Sequence, residues 1–465
     1  MVRRRQRERS VWEVVLPDAD KLWPDALRRM DRLIDDEALA EVVANALERR
    51  WPHSRRRGRP GTPADVVLRM LVLKHLYRWS YTELEQEVRA NLVYRAFARI
   101  SCEVAPDAKT ILKIAQALGP AVIQTLHRRV VELAVRGGVV KGRRLRVDTT
   151  VIETNIHYPT DSSLLTDGVR VATRTLKKIE AAIGRGRRAV RNRMRSVTRR
   201  GLEIMYAARS PKTREGLGPQ LSAVARHDAR AVLRDADTMT RRVRRRLRAV
   251  DDRTRRRMTG LQARLRTIIP LIRRVIAQTE QRVLHGDTHV PDKVMSLFEP
   301  HTEGIRKGKL VKPTEFGKLV TIQEAEHQIV TAYAVHAERP ADQTLWVPAL
   351  DAHQQIFHRA PHLAAADRGF ASAANEKAAT TRGVRRMVLP RPGPNTPARR
   401  AHERQRWFRR GQRWRVGCEG RVSVLKRRHG LHRCLYHGLA GTERWVGLGV
   451  IANNLLVIAA RPAPP

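Results

Sequence analysis

Cysteine is scarce in this chain of 465 residues: Cys102, Cys418 and Cys434 are scattered, with no CxxC pair among them. That excludes a disulfide scaffold and a cysteine zinc site, and it fits a reducing cytosol. Long apolar runs are missing too. The best stretch, Val446–Ala460, is interrupted by Asn453 and Asn454 and falls short of the ~20 residues that a membrane span requires. The basic start, Met1–Arg9, is followed by no apolar segment, so no secretory signal is expected. Several site signatures are absent as well. There is no G-x4-G-K-[ST], no H-E-x-x-H and no G-x-S-x-G, and the 17 histidines are dispersed. Acids are few relative to bases: 92 Lys and Arg face 46 Asp and Glu, a formal charge of +46. Such a field favours polyanions and releases counterions from a phosphate backbone, so nucleic acid is the expected partner.

Hydrophobic residues make up 42%, an ordinary globular share, and the length allows two or three domains. The periodicity predicts an amphipathic helix over Asp25–Arg49, then a basic loop, His53–Arg59. Two capped helices follow, Ala64–Trp79 behind Thr62-Pro-Ala-Asp65 and Tyr81–Asn91 behind Ser80-Tyr-Thr-Glu83. The pair reads equally as a DNA-reading helix-turn-helix or as a helical hairpin, and the first helix is apolar enough to be mostly core. Further helices are expected at Asp107–Leu118 and Ala121–Arg136, then a strand at Arg144–Thr150.

Residues 161–280 hold 32 basic and 11 acidic residues, a surplus of 21, with apolar residues at helical intervals. This predicts a long helical insertion, either a DNA-gripping arm or a solvated charged face. Strands are then expected at Lys293–Phe298, Lys318–Gln323 and Gln328–His336, and a helix at Gln343–Arg359. A short strand ends at Asp367, followed by the helix Ser372–Thr381 and the strand Arg385–Leu389. The Pro-rich run Pro390–Pro397 reads as irregular, and helices Arg410–His429 and Thr442–Ala460 close the chain. The whole is a mixed α/β pattern.

Three acids occupy suggestive places: Asp148 on the first strand, Asp367 at a later strand's carboxyl end, and Glu419 on a helix. At 100° per residue Arg415, Glu419, Ser423 and Lys426 share one polar stripe, beside the apolar stripe of Cys418, Val422 and Leu425. Carboxylates converging from separate elements suit a pair of hard cations that serve in-line phosphoryl transfer.

This order resembles the RNase H-like catalytic domain of DDE transposases from bacterial insertion sequences. Arg415-x3-Glu419-x6-Lys426 is similar to the end of their Tyr-x2-Arg-x3-Glu-x6-Lys signature, with Gln412 in place of the tyrosine. Asp367-Arg-Gly-Phe370 is similar to the second-acid motif and Val147-Asp-Thr-Thr150 to the first. Phe298–Lys309 and Pro313–Gly317 resemble the second-strand region of the ISNCY group, and Arg57-Gly-Arg-Pro60 its N-terminal domain.

The resemblance implies an α/β chain in three parts. A helical, DNA-end-binding domain over 1–136 precedes an RNase H-like domain over 137–160 and 287–465, which an arginine-rich insertion over 161–286 interrupts. It implies Asp148, Asp367 and Glu419 as catalytic ligands of two divalent cations, Mg²⁺ or Mn²⁺. Arg415, Lys426, Arg55, Arg56, Arg57 and Arg59 would contact DNA. The partners implied are double-stranded DNA, at terminal inverted repeats and at a target, and a second copy in a synaptic dimer or larger assembly. A prokaryotic, cytoplasmic and nucleoid-associated location is implied, with no membrane. A basic binding protein without catalysis, or a nuclease that cuts without joining, stand as alternatives.

Overall fold

The computed structural model describes residues 1–5, 19–50, 53, 57–100, 104–183, 189–207, 211–246, 250–287, 289–306 and 313–461. Two compact units emerge, one from residues 1–154 and 317–465 and the other from 155–316.

The first unit begins with helices. The stretch expected to be one helix is two, Asp25–Ile34 and Glu37–Glu48, because Asp36 turns its side chain onto the amide of Leu39 and caps a new start. The helix Ala64–Tyr77 begins behind Pro63 without a side-chain cap. The expected Thr62–Asp65 box does not form, since Asp65 accepts from the neighbouring amide of Val66 at 2.8 Å. The Ser80–Glu83 box does form and opens Tyr81–Ala90. Every residue from Ala64 to His75 is buried, so this stretch of the helix is core on all faces. Leu92–Phe97, Ala108–Ala117 and Pro120–Arg136 complete the helical part.

The sheet of this unit is made of β1 (Arg144–Thr154), β3 (Thr314–Glu324), β4 (Val330–Val335), β5 (Leu363–Ala365), β6 (Arg386–Val388) and the two-residue β7 (Arg433–Cys434), of which β1, β3 and β4 are rich in β-branched residues. The short β2 (Glu303–Arg306) belongs to the second unit. Across the sheet the order is β4-β3-β1-β5-β6, with β7 beside the far end of β1. β3 runs antiparallel to β1 and β4 antiparallel to β3, whereas β5 and β6 run parallel to β1.

Helices Trp346–Phe357, Ala373–Thr381, Pro397–Arg404, Arg406–Arg428 and Gly438–Ala459 follow. The Pro-rich run is irregular only up to Thr396, which caps the helix opened by Pro397. The last helix joins two cores. Leu448, Ile451, Leu455 and Ile458 pack with the N-terminal helices, while Trp445, Val446 and Val450 face Val320, Ile322 and Tyr333 of the sheet. The asparagines that interrupt its apolar run have buried partners. Asn454 bonds both the amide and the carbonyl of Val330 at 3.0 and 2.8 Å, and Asn453 accepts from Arg421 at 2.7 Å. No described helix is long and apolar enough to cross a membrane.

The helical core buries histidines in neutral form. Burial pulls His127 and His429 down to about 4 and His75 well below its usual range. His127 also meets the Val330 carbonyl at 2.9 Å. Unfolded histidines titrate near 6.5, so on acidification the unfolded chain takes up protons first and stability falls. The loss is expected to begin as pH drops through about 6.5 and to be complete near 4, on the order of 3 kcal/mol for each of His127 and His429. Urea midpoints at pH 7.5 and 5 check this; a midpoint that does not fall at pH 5 refutes it.

The second unit is a helical bundle, Asp161–Ile183, Met194–Ala207, Pro211–Arg246 and Asp252–Leu284, around Leu165, Val169, Leu176, Val232, Met239, Leu265 and Ile272. The strand expected at Lys293–Phe298 is absent. The amide of Val294 bonds the buried side chain of Gln278 at 2.9 Å, and Val294 and Leu297 pack into the helical core. Their alternation serves helix burial rather than a ladder.

Candidate active site

Asp148 lies mid-β1 and is half-buried, opposite Ile322 of β3. One of its oxygens accepts from the Thr149 amide at 2.8 Å. Asp367 is exposed just beyond β5 and accepts from the Arg368 amide at 2.6 Å. The last couple of the parallel β1–β5 ladder is Arg146↔Ala365, so each aspartate stands two residues past it, Asp148 within the longer β1 and Asp367 beyond the end of β5. The end of the β1–β5 ladder therefore brings Asp148 and Asp367 to one edge of it.

The Asp367-Arg-Gly-Phe turn has a packing reason for each of its last two residues. Phe370 is buried and meets Trp346 edge-on at 6.5 Å. At Gly369 a Cβ would stand 2.6 Å from Oδ2 of Asp342, so the small residue makes room for that carboxylate. Asp342 in turn accepts from the Thr149 hydroxyl at 3.3 Å. It thus sits between the segments carrying Asp148 and Asp367, a link that lies 193 residues from Thr149 in sequence and that the motif reading missed.

Glu419 is on the helix Arg406–Arg428, which packs on β1, β5 and β6. Its side chain is 60% exposed and pairs with Arg415 at 3.3 Å, one turn earlier. Cys418 and Leu425 are buried on the sheet side and Val422 is half-buried; Lys426 is half-buried as well. The thiol of Cys418 is pushed well up by burial, then by the charges of Glu324 and Asp148. Among the described residues, no three His, Cys, Asp or Glu side chains are gathered closely enough to hold a metal ion.

Beneath these acids is a buried charge network that single-sequence reading did not find. Arg146 and Glu324 face each other across β1 and β3 and bond through two contacts, 3.0 and 2.5 Å. Their side chains are 7% and 0% exposed. Arg146 also donates to the Trp414 carbonyl, stacks on the Trp414 ring at 4.9 Å, and lies where a Cβ of Gly417 would be. Arg421 comes within 4.0 Å of Glu324 and donates to Asn453 and Gln328. The network therefore fastens the Glu419 helix to the strand of Asp148. The one signal available was a pair of arginines close to the acids in sequence, Arg146 two residues before Asp148 and Arg421 two residues after Glu419.

Of the expected DNA contacts, Arg57 and Arg59 are exposed. Arg55 and Arg56 lie outside the described residues.

Residues 17–117 match the model of a transposase domain, and residues 377–459 match that of a transposase DDE domain. These matches indicate a DDE transposase of an insertion sequence. The second match contains Arg415, Glu419 and Lys426; Asp148 and Asp367 fall between the two matched stretches. A stretch of 127 residues is 29% identical to "Uncharacterized protein ORF8 in nfe locus" of Rhizobium meliloti, over 26% of this chain and 61% of that protein. No solved structure matches this chain.

Proposed function

We propose that the chain cuts and joins DNA at the ends of a mobile element by in-line phosphoryl transfer, with Asp148, Asp367 and Glu419 as its catalytic acids. The observation that carries this reading is the register of β1 and β5, which sets Asp148 and Asp367 at one edge, beneath the helix of Glu419 within the DDE match. The strand order β4-β3-β1-β5-β6, with the first two pairings antiparallel and the rest parallel, supports an RNase H-like catalytic domain. In this reading residues 1–136 serve DNA ends, 137–160 and 287–465 catalyse, and 161–286 are an insertion.

The donor set, three carboxylates with no thiolate or imidazole, fits hard cations such as Mg²⁺ or Mn²⁺. Two such ions, when bound, would stabilise the entering and leaving oxygens of the transfer. Within the chain, Arg415 pairs with Glu419 at 3.3 Å and would orient it. Lys426, two turns further along the same stripe, would contact a phosphate near the cut. Arg57 and Arg59, with Arg55 and Arg56 of the same loop, would bind the DNA backbone. Synapsis of two ends calls for at least two copies, acting on the nucleoid of a prokaryote.

The test is cleavage and joining of a labelled element end with Mg²⁺, for wild type and Glu419→Gln. Glutamine keeps the shape and removes the charge. Metal-dependent cut and joined products, lost in the variant while DNA binding persists, support the proposal. Cutting without joining makes the chain a nuclease. Tight binding with no metal-dependent product from either protein makes it a basic binding protein.

A further inference from the structure

The helical insertion does not distribute its charge evenly. Helices Pro211–Arg246 and Asp252–Leu284 run antiparallel, since Arg230 pairs with Glu280 while Asp237 pairs with Arg273. Acids and bases are matched at the base of this hairpin, where Arg274 also pairs with Asp292 at 2.8 Å and Arg282 with Asp161 at 3.0 Å. The tip is different. Its described residues, 241–246 and 250–266, contain 11 arginines, no lysine, and two acids, Asp251 and Asp252, a surplus of 11 − 2 = 9. Neither acid relieves the surplus much. Asp251 caps the second helix through Thr254 at 2.9 Å, and Asp252 pairs with Arg255.

Arg241, Arg244, Arg245, Arg253, Arg256, Arg257, Arg264 and Arg266 are all exposed, and no described acid pairs with any of them. At 100° per residue Arg241, Arg244 and Arg245 fall within about 100° on the first helix. Arg253, Arg256, Arg257 and Arg264 do the same on the second. Met239, Val243, Met258 and Leu265 are buried in the bundle core, so two packed helices hold the arginines on a rigid frame.

We infer that this tip is a grip for the backbone of double-stranded DNA. The inference deepens the transposase reading by giving the insertion a share in holding duplex. Unrelieved like charges raise the free energy of the compact chain, and a polyanion reverses that sign. Guanidinium forks suit phosphate oxygens bidentately, and here the basic residues are arginine without exception. The tip contains no Phe, Tyr or Trp. Binding of single strands leans on base stacking against aromatic rings, so a ring-free charged rod selects the duplex backbone. From Arg253 to Arg266 the helix rises about 20 Å, a length over which a duplex displays about a dozen phosphates.

The experiment uses the full chain and a labelled DNA duplex of arbitrary sequence, with binding measured by fluorescence anisotropy across a salt series. One variant carries Arg→Gln at 241, 244, 245, 253, 256 and 257. A control carries Arg230→Gln and Arg273→Gln at the ion-paired base. For every phosphate that a variant no longer neutralises, the slope of log K against log salt is expected to shrink by about 0.9. The tip variant should lose about 3–5 from the slope and at least 100-fold in low-salt affinity. Its thermal midpoint should stay within a few degrees of wild type, and the control should keep its slope. An unchanged slope in the tip variant makes the tip a solvated face and overturns the inference. So does a larger loss on duplex RNA or on single strands than on duplex DNA. The outcome is separable from the catalytic proposal. A tip variant that loses slope supports the grip even if no protein cuts DNA, and cleavage by a wild type whose tip variant binds normally removes only the grip.

Discussion

Glu324→Gln is expected to destabilise the chain by about 3–5 kcal/mol, the cost of breaking a buried ion pair from one side. Glu324 has no exposure, and it contacts two guanidiniums, Arg146 through two bonds and Arg421 at 4.0 Å. Burial raises its carboxyl and Arg146 opposes that shift, while burial lowers Arg421. Removing the acid leaves two cations facing each other in the core. Removing Arg146 instead, as Arg146→Met, leaves Glu324 paired with Arg421, so the loss should be smaller. Urea unfolding at pH 7 tests the order. Equal losses, or a larger one for Arg146→Met, would show that Arg421 does not share the charge of Glu324. A total under 1 kcal/mol for Glu324→Gln would mean that the pair is solvated and not part of the core.

Asp148→Asn and Asp367→Asn should each reduce metal-dependent DNA cleavage by about 10²–10⁴-fold, the rate equivalent of the several kcal/mol that a held cation supplies to developing charge. The geometry makes these clean substitutions. Each aspartate uses one oxygen to accept from the next amide, at 2.8 Å for Asp148 and 2.6 Å for Asp367, and an asparagine oxygen can do the same. The fold should therefore persist, with an unfolding midpoint close to wild type and duplex binding retained. The double variant should be little worse than either single one, because ligands of one site act as a unit. Cleavage within tenfold of wild type for both single variants would remove these residues from the site. Loss confined to Asp148→Asn would point instead to Asp342, which already reaches the Thr149 hydroxyl and the Gly369 turn.

How much of this was legible from residues alone varies with the range of the interaction. Local rules worked where the partner is three or four residues away. The Ser80–Glu83 box and the Arg415–Glu419 pair both form. They failed where two local readings competed. Asp36 is both a tolerable helix residue and a cap, and capping won, splitting one expected helix into two. Pro397 reads as a breaker in a Pro-rich run, yet Thr396 before it makes it a helix start. Alternation at Val294 and Leu297 looked like a strand, but their burial is against helices.

The sequence by itself determined the charge and its concentration in residues 161–280, the alternation of strands and helices, and the identity of the acids worth testing. These depend on composition and on contacts within a turn or two of chain, which a linear reading contains. Tertiary structure alone decided that β5 adds in parallel to β1, so that Asp148 and Asp367 share an edge. It also decided that Glu324, 178 residues from Arg146, is the acid that neutralises it, and that Arg230 and Arg273 find acids at the base of the insertion hairpin while Arg241, Arg244 and Arg245 nearer its tip stay exposed. Each of these is a choice among many acids or strands of similar local character. Burial makes that choice, because a charge or a strand edge removed from water must find a partner wherever the chain brings one.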